Sequence, residues 1–137
     1  MRQEKYKDIL RGDIYYVDFG RAVGSAIRGK RPAVVIQNNT GNKHSPTLIV
    51  VAITSGDRKK FMPTHLSVDE RFGLTKKSII LTEHIQTIDR SLAVEFVGHV
   101  DDKKIMRKID EALEISIGLK KPKKRLRNKT DPQLHAS

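Results

Sequence analysis

The sequence predicts a mainly β domain with one helix near its C-terminal end, and three observations lead to this fold class. Short β-branched and aromatic segments recur from residue 13 to residue 100, separated by turn residues. No helical pattern falls between them, which argues against βαβ units and a parallel sheet. Residues 101–118 then change to a spacing of three to four between apolar positions. Together these features indicate a small curled sheet or open barrel followed by a helix.

Six short segments rich in β-branched or aromatic residues are predicted as strands: 13–19, 32–38, 47–54, 64–70, 78–81 and 93–100. The second and third are nearly continuous apolar runs, as expected of central strands buried on both faces. The fourth alternates apolar and polar residues, which is typical of an exposed or edge strand. Residues 39–46 between the second and third strands are rich in turn formers, and residues 82–89 either continue a strand or form a short turn.

The helix is predicted from its period and from its two ends. Apolar residues recur at a spacing of three to four from Ile105 to Leu113. Asp101 or Asp102 is placed to cap the start, and Gly118 suits the C-terminal stop. One amphipathic helix therefore follows the strands.

Composition indicates one small domain in a reducing compartment. The chain has 137 residues, of which 37% are hydrophobic, and it has no cysteine. It has neither an apolar run long enough to span a membrane nor a signal-like N-terminus. We therefore expect one domain over residues 1–119, a basic and flexible tail over 120–137, no membrane association and a cytoplasmic location.

The net charge of +11 predicts a polyanionic partner, usually a nucleic acid. Seven Lys and Arg residues lie in the tail against one Asp, so the first 119 residues carry only +5. Because basic tails are often non-specific arms, a specific site requires local clustering of charge in the domain.

The known nucleotide and metal motifs are missing from the sequence. There is no P-loop, no G-x-G-x-x-G and no H-E-x-x-H, and the five histidines never pair at metal-ligand spacing. We therefore predict no metal and no cofactor. A protein without these motifs can still cleave RNA, because the 2′-OH of the RNA itself attacks the adjacent phosphate.

Arg31 and Thr54 are the candidate catalytic pair. Transesterification of RNA needs donors for the charge that develops on the phosphate oxygens, and a guanidinium matches that geometry. Arg31 opens one predicted central strand and Thr54 closes the next. If the two strands form an antiparallel hairpin, both residues lie at the same end of the sheet, between loops 20–30 and 55–63.

The order of several segments resembles the MazF (PemK-like) toxin family: RGDIYYVDFG, VGS, RPAVVIQNN, SPTLIVVAIT, PTHLSV and SIILTEHIQTIDR, followed by a helix ending EALEISIGL. The resemblance covers about residues 10–119. It implies a small SH3-like barrel of the MazF/PemK/CcdB-like kind, assembled as a homodimer. It also implies metal-independent, sequence-specific cleavage of single-stranded RNA to a 2′,3′-cyclic phosphate and a 5′-hydroxyl, and a cognate MazE-like antitoxin that covers the RNA groove.

The resemblance also assigns residues to the site. Arg31 of the RP motif and Thr54 of the AIT segment correspond to the family's catalytic pair. The positions that correspond to RNA-binding segments are Gly24, Ser25, Lys30, Gln37, Asn38, Pro63, Thr64, His65, Glu83, His84 and Gln86.

One loop departs from the family pattern and leaves alternatives open. Many relatives read GSEQ where this chain reads GSAI, so Ala26 and Ile27 replace a Glu and a Gln near the site. A proton-transfer role for that Glu is lost, and the general base stays open. The altered loop also allows a second hypothesis, a non-catalytic SH3-like barrel that binds gyrase or nucleic acid. A duplex-DNA-binding protein is a third, and it depends on charge alone.

Overall fold

The computed structural model describes residues 8–21, 28–56 and 62–123, and one six-stranded antiparallel sheet dominates it. The strands are β1 (Asp13–Asp18), β2 (Lys30–Val35), β3 (Thr47–Ser55), β4 (His65–Val68), β5 (Ser78–Asp89) and β6 (Ala93–His99). Their order across the sheet is β4-β5-β3-β2-β1-β6. Two α-helices, α1 (Asn39–His44) and α2 (Lys103–Ser116), and a 3₁₀ turn (Arg90–Leu92) complete the described elements.

The predicted fold class, mainly β with a C-terminal helix, is confirmed. All neighbouring strands are antiparallel, and β4 and β6 form the two edges of an open, curled sheet. Of the predicted basic tail, only residues 120–123 belong to the described part of the chain.

Apolar clusters on both faces bury the central strands. Val34 and Val35 of β2, and Val50 and Val51 of β3, are all fully buried, although neighbouring residues in a strand face opposite sides. One face carries the cluster that includes Val35 and Val50, and the other carries the cluster that contacts helix α2. The prediction of strands buried on both faces is therefore confirmed.

Helix α2 packs on one face of the sheet through Ile109, which is fully buried. Asp102 is the N-cap, and its carboxylate accepts the backbone N–H groups of Lys104 and Ile105 at 2.9 and 3.3 Å. The helix ends just before Gly118, which has a φ of 82°. Neither helix in the described part of the chain has the length and apolar character needed to cross a membrane.

Helix α1 occupies residues for which the sequence predicted only a turn. Its six residues carry no apolar stripe, so the 3.6-residue pattern that signals a helix is missing. The Asn38 side chain instead caps it by accepting the Gly41 N–H at 2.8 Å. Asn42, which is almost fully buried, binds Gln37. Polar side-chain bonds therefore stabilise this helix in place of apolar burial.

Strand β5 contains a large bulge within the part that pairs with β3. Val51 pairs with Ile85, but the next residue, Ala52, pairs with Leu81. Three residues, Thr82–His84, are therefore inserted on β5 between two consecutive residues of β3. Such bulges bend a strand and redirect its side chains, and they are frequent beside active sites. Of the two alternatives for residues 82–89, the continued strand is confirmed.

Candidate active site and nucleic-acid interface

Arg31 and Thr54 lie at the same end of the β2–β3 pair. The paired register ends with Ala33 opposite Ala52, and Arg31 and Thr54 each lie two residues beyond that pair toward this end. Because side chains alternate between faces, Arg31 is expected on the face of Ala33 and Thr54 on the face of Ala52. Both are partly exposed. The antiparallel pairing of the two strands, which the sequence analysis assumed, is confirmed.

The segment that precedes Arg31 is closed at its base by two backbone hydrogen bonds. Phe19 N–H donates to the Gly29 carbonyl at 2.9 Å, and Gly29 N–H donates to the Gly20 carbonyl at 2.8 Å. Gly20 and Gly29 have φ values of 70° and 78°, a region that other residues rarely adopt. This closure brings the residues on either side of the glycines next to β2.

An open depression lies beside Arg31, with a volume of about 430 Å³. Its described lining contains three arginines and no carboxylate: Gly20, Arg21, Arg28, Gly29 and Arg31. Cations gathered in a concave surface raise the local positive potential and attract anions. The depression therefore suits a phosphate group more than any neutral ligand.

Arg31 is held by one bond that leaves its phosphate-binding fork open. Its Nε donates to the Arg28 carbonyl oxygen at 2.9 Å, and within the described residues this is its hydrogen bond to the protein. A guanidinium has five N–H donors, so the four on its terminal nitrogens are available to a ligand. Such a fork binds phosphate in a bidentate manner.

Arg21 and Arg28 were missed by the residue-level analysis of the sequence. The sequence did indicate a cationic loop at this place, because residues 20–30 contain three glycines and no acidic residue. The sequence could not show that a closed loop base directs both arginines to the Arg31 end of the sheet. Of the other residues predicted for this loop, Lys30 is exposed at the start of β2. Gly24 and Ser25 lie outside the described residues.

A second group of predicted residues meets on the other side of β3, where β4 approaches the bulge. The Thr64 hydroxyl donates to Glu83 Oε1 at 2.8 Å, and His65 Nε2 lies 2.9 Å from Glu83 Oε2. Thr64 and His65 are buried. Burial alone would raise the pKa of the Glu83 carboxyl, but the hydrogen bonds from His65 and Thr64 outweigh it and lower this pKa below its usual range. Glu83 is therefore held as a carboxylate.

Pro63 and Gln86 of this group are exposed, and His84 is partly exposed. His84 has a side chain that is one-third exposed, and its Nε2 lies 3.7 Å from Glu83 Oε2. Gln86 is paired with Val50 of β3 and is exposed. These three residues present polar and apolar surface along the rim formed by β4 and β5.

Gln37 and Asn38 are not brought to this end of the sheet. They follow β2 at its opposite end, six and seven residues beyond Arg31. The Gln37 side chain is buried and donates to Asn42 Oδ1 and the Thr47 carbonyl at 3.1 and 3.0 Å. The Asn38 side chain caps helix α1. The hydrogen bonds of Gln37 and Asn38 therefore stabilise helix α1 and the residues next to it.

Residues 8–21, 28–56 and 62–123 contain no group of three or more His, Cys, Asp or Glu side chains arranged to hold a metal ion.

The open antiparallel sheet, the helix on one face and the arginine-lined depression at one end of the β2–β3 pair define a small β protein with a cationic surface depression. Residues 10–117 match the family model described as the PemK-like, MazF-like toxin of type II toxin–antitoxin systems. The chain belongs to this family.

Curated relatives match the chain over most of its length. Endoribonuclease EndoA of Bacillus subtilis (strain 168) is 46% identical over 112 residues, which is 81% of this chain and 96% of that protein. Endoribonuclease MazF of Staphylococcus epidermidis is 45% identical over 112 residues, or 81% of this chain and 92% of that protein. The family match over residues 10–117 includes the whole described sheet and helix α2.

Solved structures share the fold. An endoribonuclease in complex with its cognate antitoxin, from a mycobacterial species, has a TM-score of 0.68 and 27% identity, and covers 83% of this chain and 99% of that one. MazF from Deinococcus radiodurans has a TM-score of 0.69 at 20% identity, with 82% and 98% coverage, and is evidence of fold alone.

Proposed function

We propose that this protein is a sequence-specific endoribonuclease toxin that cleaves single-stranded RNA without a metal ion. The observation that carries the proposal is the arginine-lined depression beside Arg31, at the end of the β2–β3 pair where Thr54 also lies. The names of the curated relatives, which are endoribonucleases at 44–46% identity, support it. The products are a 2′,3′-cyclic phosphate and a 5′-hydroxyl.

The reaction is an internal transesterification. The ribose 2′-oxygen attacks the adjacent phosphorus and loses its proton to a base, the P–O5′ bond breaks, and the 5′-oxygen gains a proton. Negative charge grows on the non-bridging oxygens as the five-coordinate phosphorus forms. The Arg31 fork and the Thr54 hydroxyl donate hydrogen bonds to those oxygens, which lowers the barrier most where charge develops. Arg31 acts only as a donor in this reaction, because a guanidinium has five N–H donors and no acceptor.

The RNA strand follows the exposed end of the sheet in this proposal. Arg21 and Arg28 hold the phosphate backbone next to the cleaved bond, where cations bind without regard to sequence. Pro63, His84 and Gln86 contact nucleotides on the opposite side of Thr54. Glu83 binds both Thr64 and His65, and these three residues shape the rim. Lys30 lies at the start of β2, and Gly24 and Ser25 are RNA-binding positions only by the family resemblance.

The test uses an RNA oligonucleotide of mixed sequence in excess EDTA. We expect discrete fragments, with cyclic phosphate and 5′-hydroxyl ends identified by mass spectrometry. A second oligonucleotide carries a single 2′-deoxy substitution at the cleaved position, and we expect it to remain intact at that bond. Binding of both RNAs without any cleavage would contradict the proposal and favour the non-catalytic barrel. Cleavage of the 2′-deoxy substrate would contradict the mechanism.

We propose that a cognate antitoxin inhibits the protein by covering the same groove. A mycobacterial relative was solved with its cognate antitoxin, which supports this partner. The cationic depression favours an antitoxin segment that carries acidic side chains. Because the RNA substrate is in the cytoplasm, we place the activity there.

We also propose that the toxin is a homodimer, as the family resemblance implies. Val94 and Phe96 on edge strand β6 are more than half exposed, and large apolar side chains on an unpaired strand edge favour association. Phe96 also packs edge-to-face on Tyr15, with ring centroids 5.5 Å apart, so its position is defined. Size-exclusion chromatography with light scattering should give a dimer for the wild type and a smaller species for Phe96→Glu.

A further inference from the structure

A chain of hydrogen bonds connects the end of helix α2 with the inserted residues of β5. Ser116 Oγ lies 3.0 Å from Thr82 Oγ1, although the two residues are 34 positions apart. Thr82 Oγ1 lies 2.6 Å from the Thr64 carbonyl oxygen, which also accepts the Thr82 backbone N–H at 3.1 Å. Thr82 is fully buried. Helix α2, the segment before β4 and the bulge therefore meet at one hydroxyl group.

The protons on these hydroxyls give the chain a direction. A hydroxyl has one proton, and a carbonyl oxygen only accepts, so Thr82 donates to the Thr64 carbonyl. Ser116 donates its single proton to the Ala112 carbonyl at 2.8 Å, so Ser116 and Thr82 meet through a 3.0 Å contact between their hydroxyl oxygens. The directed side-chain bond that connects the bulge to the segment before β4 is therefore the one from Thr82 to the Thr64 carbonyl.

Thr64 and the next residue, His65, bind the two carboxylate oxygens of Glu83. The Thr64 hydroxyl donates to Oε1. Met62 N–H lies 3.4 Å from His65 Nδ1, so that nitrogen accepts and Nε2 carries the proton donated to Glu83 Oε2. Both carboxylate oxygens of Glu83 therefore bind β4-side residues. This arrangement makes Glu83 a support for the bulge and a poor candidate for the missing general base.

We propose that Thr82 and Ser116 are positioning residues for RNA recognition, because they fix the bulge Thr82–His84 that presents His84 to the substrate. The inference rests on the proposed endoribonuclease function. Neither residue reaches the reacting phosphate. Of the three inserted side chains, Thr82 is buried and Glu83 is bound at both oxygens, whereas the His84 ring is one-third exposed with its carboxylate neighbour 3.7 Å away. The bulge begins beside Ala52, two residues from Thr54.

The test compares Thr82→Val, which keeps the shape of the side chain but has no hydroxyl, with Thr82→Ser and Ser116→Ala. Each is assayed on the preferred RNA sequence and on a set with single-nucleotide changes. For Thr82→Val we expect KM to rise about tenfold, since small misplacements of a contact are costly, with kcat nearly unchanged. The ratio between the cleavage rate of the preferred RNA and the rates of the single-nucleotide variants should decrease. Ser116→Ala should show the same change at smaller size, and Thr82→Ser should restore wild-type behaviour.

Ile109→Val is the matched control, because Ile109 is fully buried on the same helix and lies outside the hydrogen-bonded chain. It should lower the melting temperature without changing KM or the RNA preference. The inference is overturned if Thr82→Val keeps the wild-type KM and preference, or if Ile109→Val reproduces the changes at an equal loss of melting temperature. A wild-type protein that cleaves no RNA would overturn the proposed function itself, which is a different outcome.

Discussion

At the α1 end of the β2–β3 pair polar side chains are buried and bound to one another, whereas at the Arg31 end they face an open depression. Gln37 binds Asn42 and the Thr47 carbonyl, Asn42 returns a bond to the Gln37 carbonyl at 3.0 Å, and the Arg90 guanidinium donates to the Asn42 carbonyl. At the other end three arginines line one concavity without a carboxylate among the described lining residues.

The difference separates groups that stabilise the fold from groups that bind a partner. A buried polar group without a hydrogen bond costs free energy, and at the α1 end the Gln37 and Asn42 side chains are bound to each other and to neighbouring groups. Like charges gathered at one surface repel each other and lower stability, so the Arg31 end, whose described lining has no carboxylate, is expected to bind an anionic partner. Substitutions at the two ends should therefore have opposite consequences for activity and stability.

The largest effect on activity is expected for Arg31→Ala. Loss of one donor to the transition state costs about 2.7–4 kcal/mol, so single-turnover cleavage should slow by at least ~10². The free energy of unfolding should change little, because Arg31 is partly exposed. Arg107→Ala, an exposed arginine on α2, is the control and should cleave normally. Wild-type cleavage by Arg31→Ala would remove this residue from the catalytic site.

Asn42→Ala should lower the stability of the fold but leave the cleavage activity of the folded protein unchanged, the opposite of Arg31→Ala. It leaves the Gln37 amide and carbonyl without their partner in a buried position, which costs about 1–3 kcal/mol of stability. The rate of cleavage per folded molecule should stay the same. Urea denaturation measures the first quantity, and assays at low urea concentration measure the second. Thr40→Ala, on the exposed face of the same helix, should be neutral in both.

A smaller, binding-specific effect is expected for Arg28→Ala. The substitution keeps the backbone carbonyl that holds Arg31, so kcat should be retained. Removal of one phosphate contact should reduce the slope of log binding constant against log salt by about 0.7 for single-stranded RNA. Affinity measured from 50 to 300 mM salt checks the slope. An unchanged slope would mean that the depression does not hold the RNA backbone.

The smallest effect concerns the pH dependence of stability at the β4–β5 rim. The pKa of Glu83 is lower in the folded chain than in the unfolded chain, so its contribution is complete above the ordinary carboxyl pKa and disappears as pH falls through the folded-state pKa. Glu83→Gln removes this dependence. The difference in urea midpoint between the wild type and Glu83→Gln should therefore shrink between pH 5 and strong acid, and a constant difference would contradict the lowered pKa of the Glu83 carboxyl.

Much of the fold followed from local patterns. The strands around Val34 and Val51 were predictable because long apolar runs are found where both faces are buried. Helix α2 was predictable from its period and from Asp102 at its start. Helix α1 was not, because its stability comes from Asn38 and Asn42 side chains whose partners the sequence does not identify.

The sequence by itself determined that a strand opening with Arg31 is followed by one ending in Thr54. Antiparallel pairing of sequence neighbours then requires that the two residues meet at one end of the sheet. Only the tertiary structure decided what surrounds them: the depression formed with Arg21 and Arg28, and the bulge held through Ser116. The physical reason is the sequence distance between the interacting residues. The alternation of side chains and the pairing of β2 with β3 involve segments that are close in the sequence. The contact between Thr82 and Ser116, 34 positions apart, depends instead on how the helix packs on the sheet.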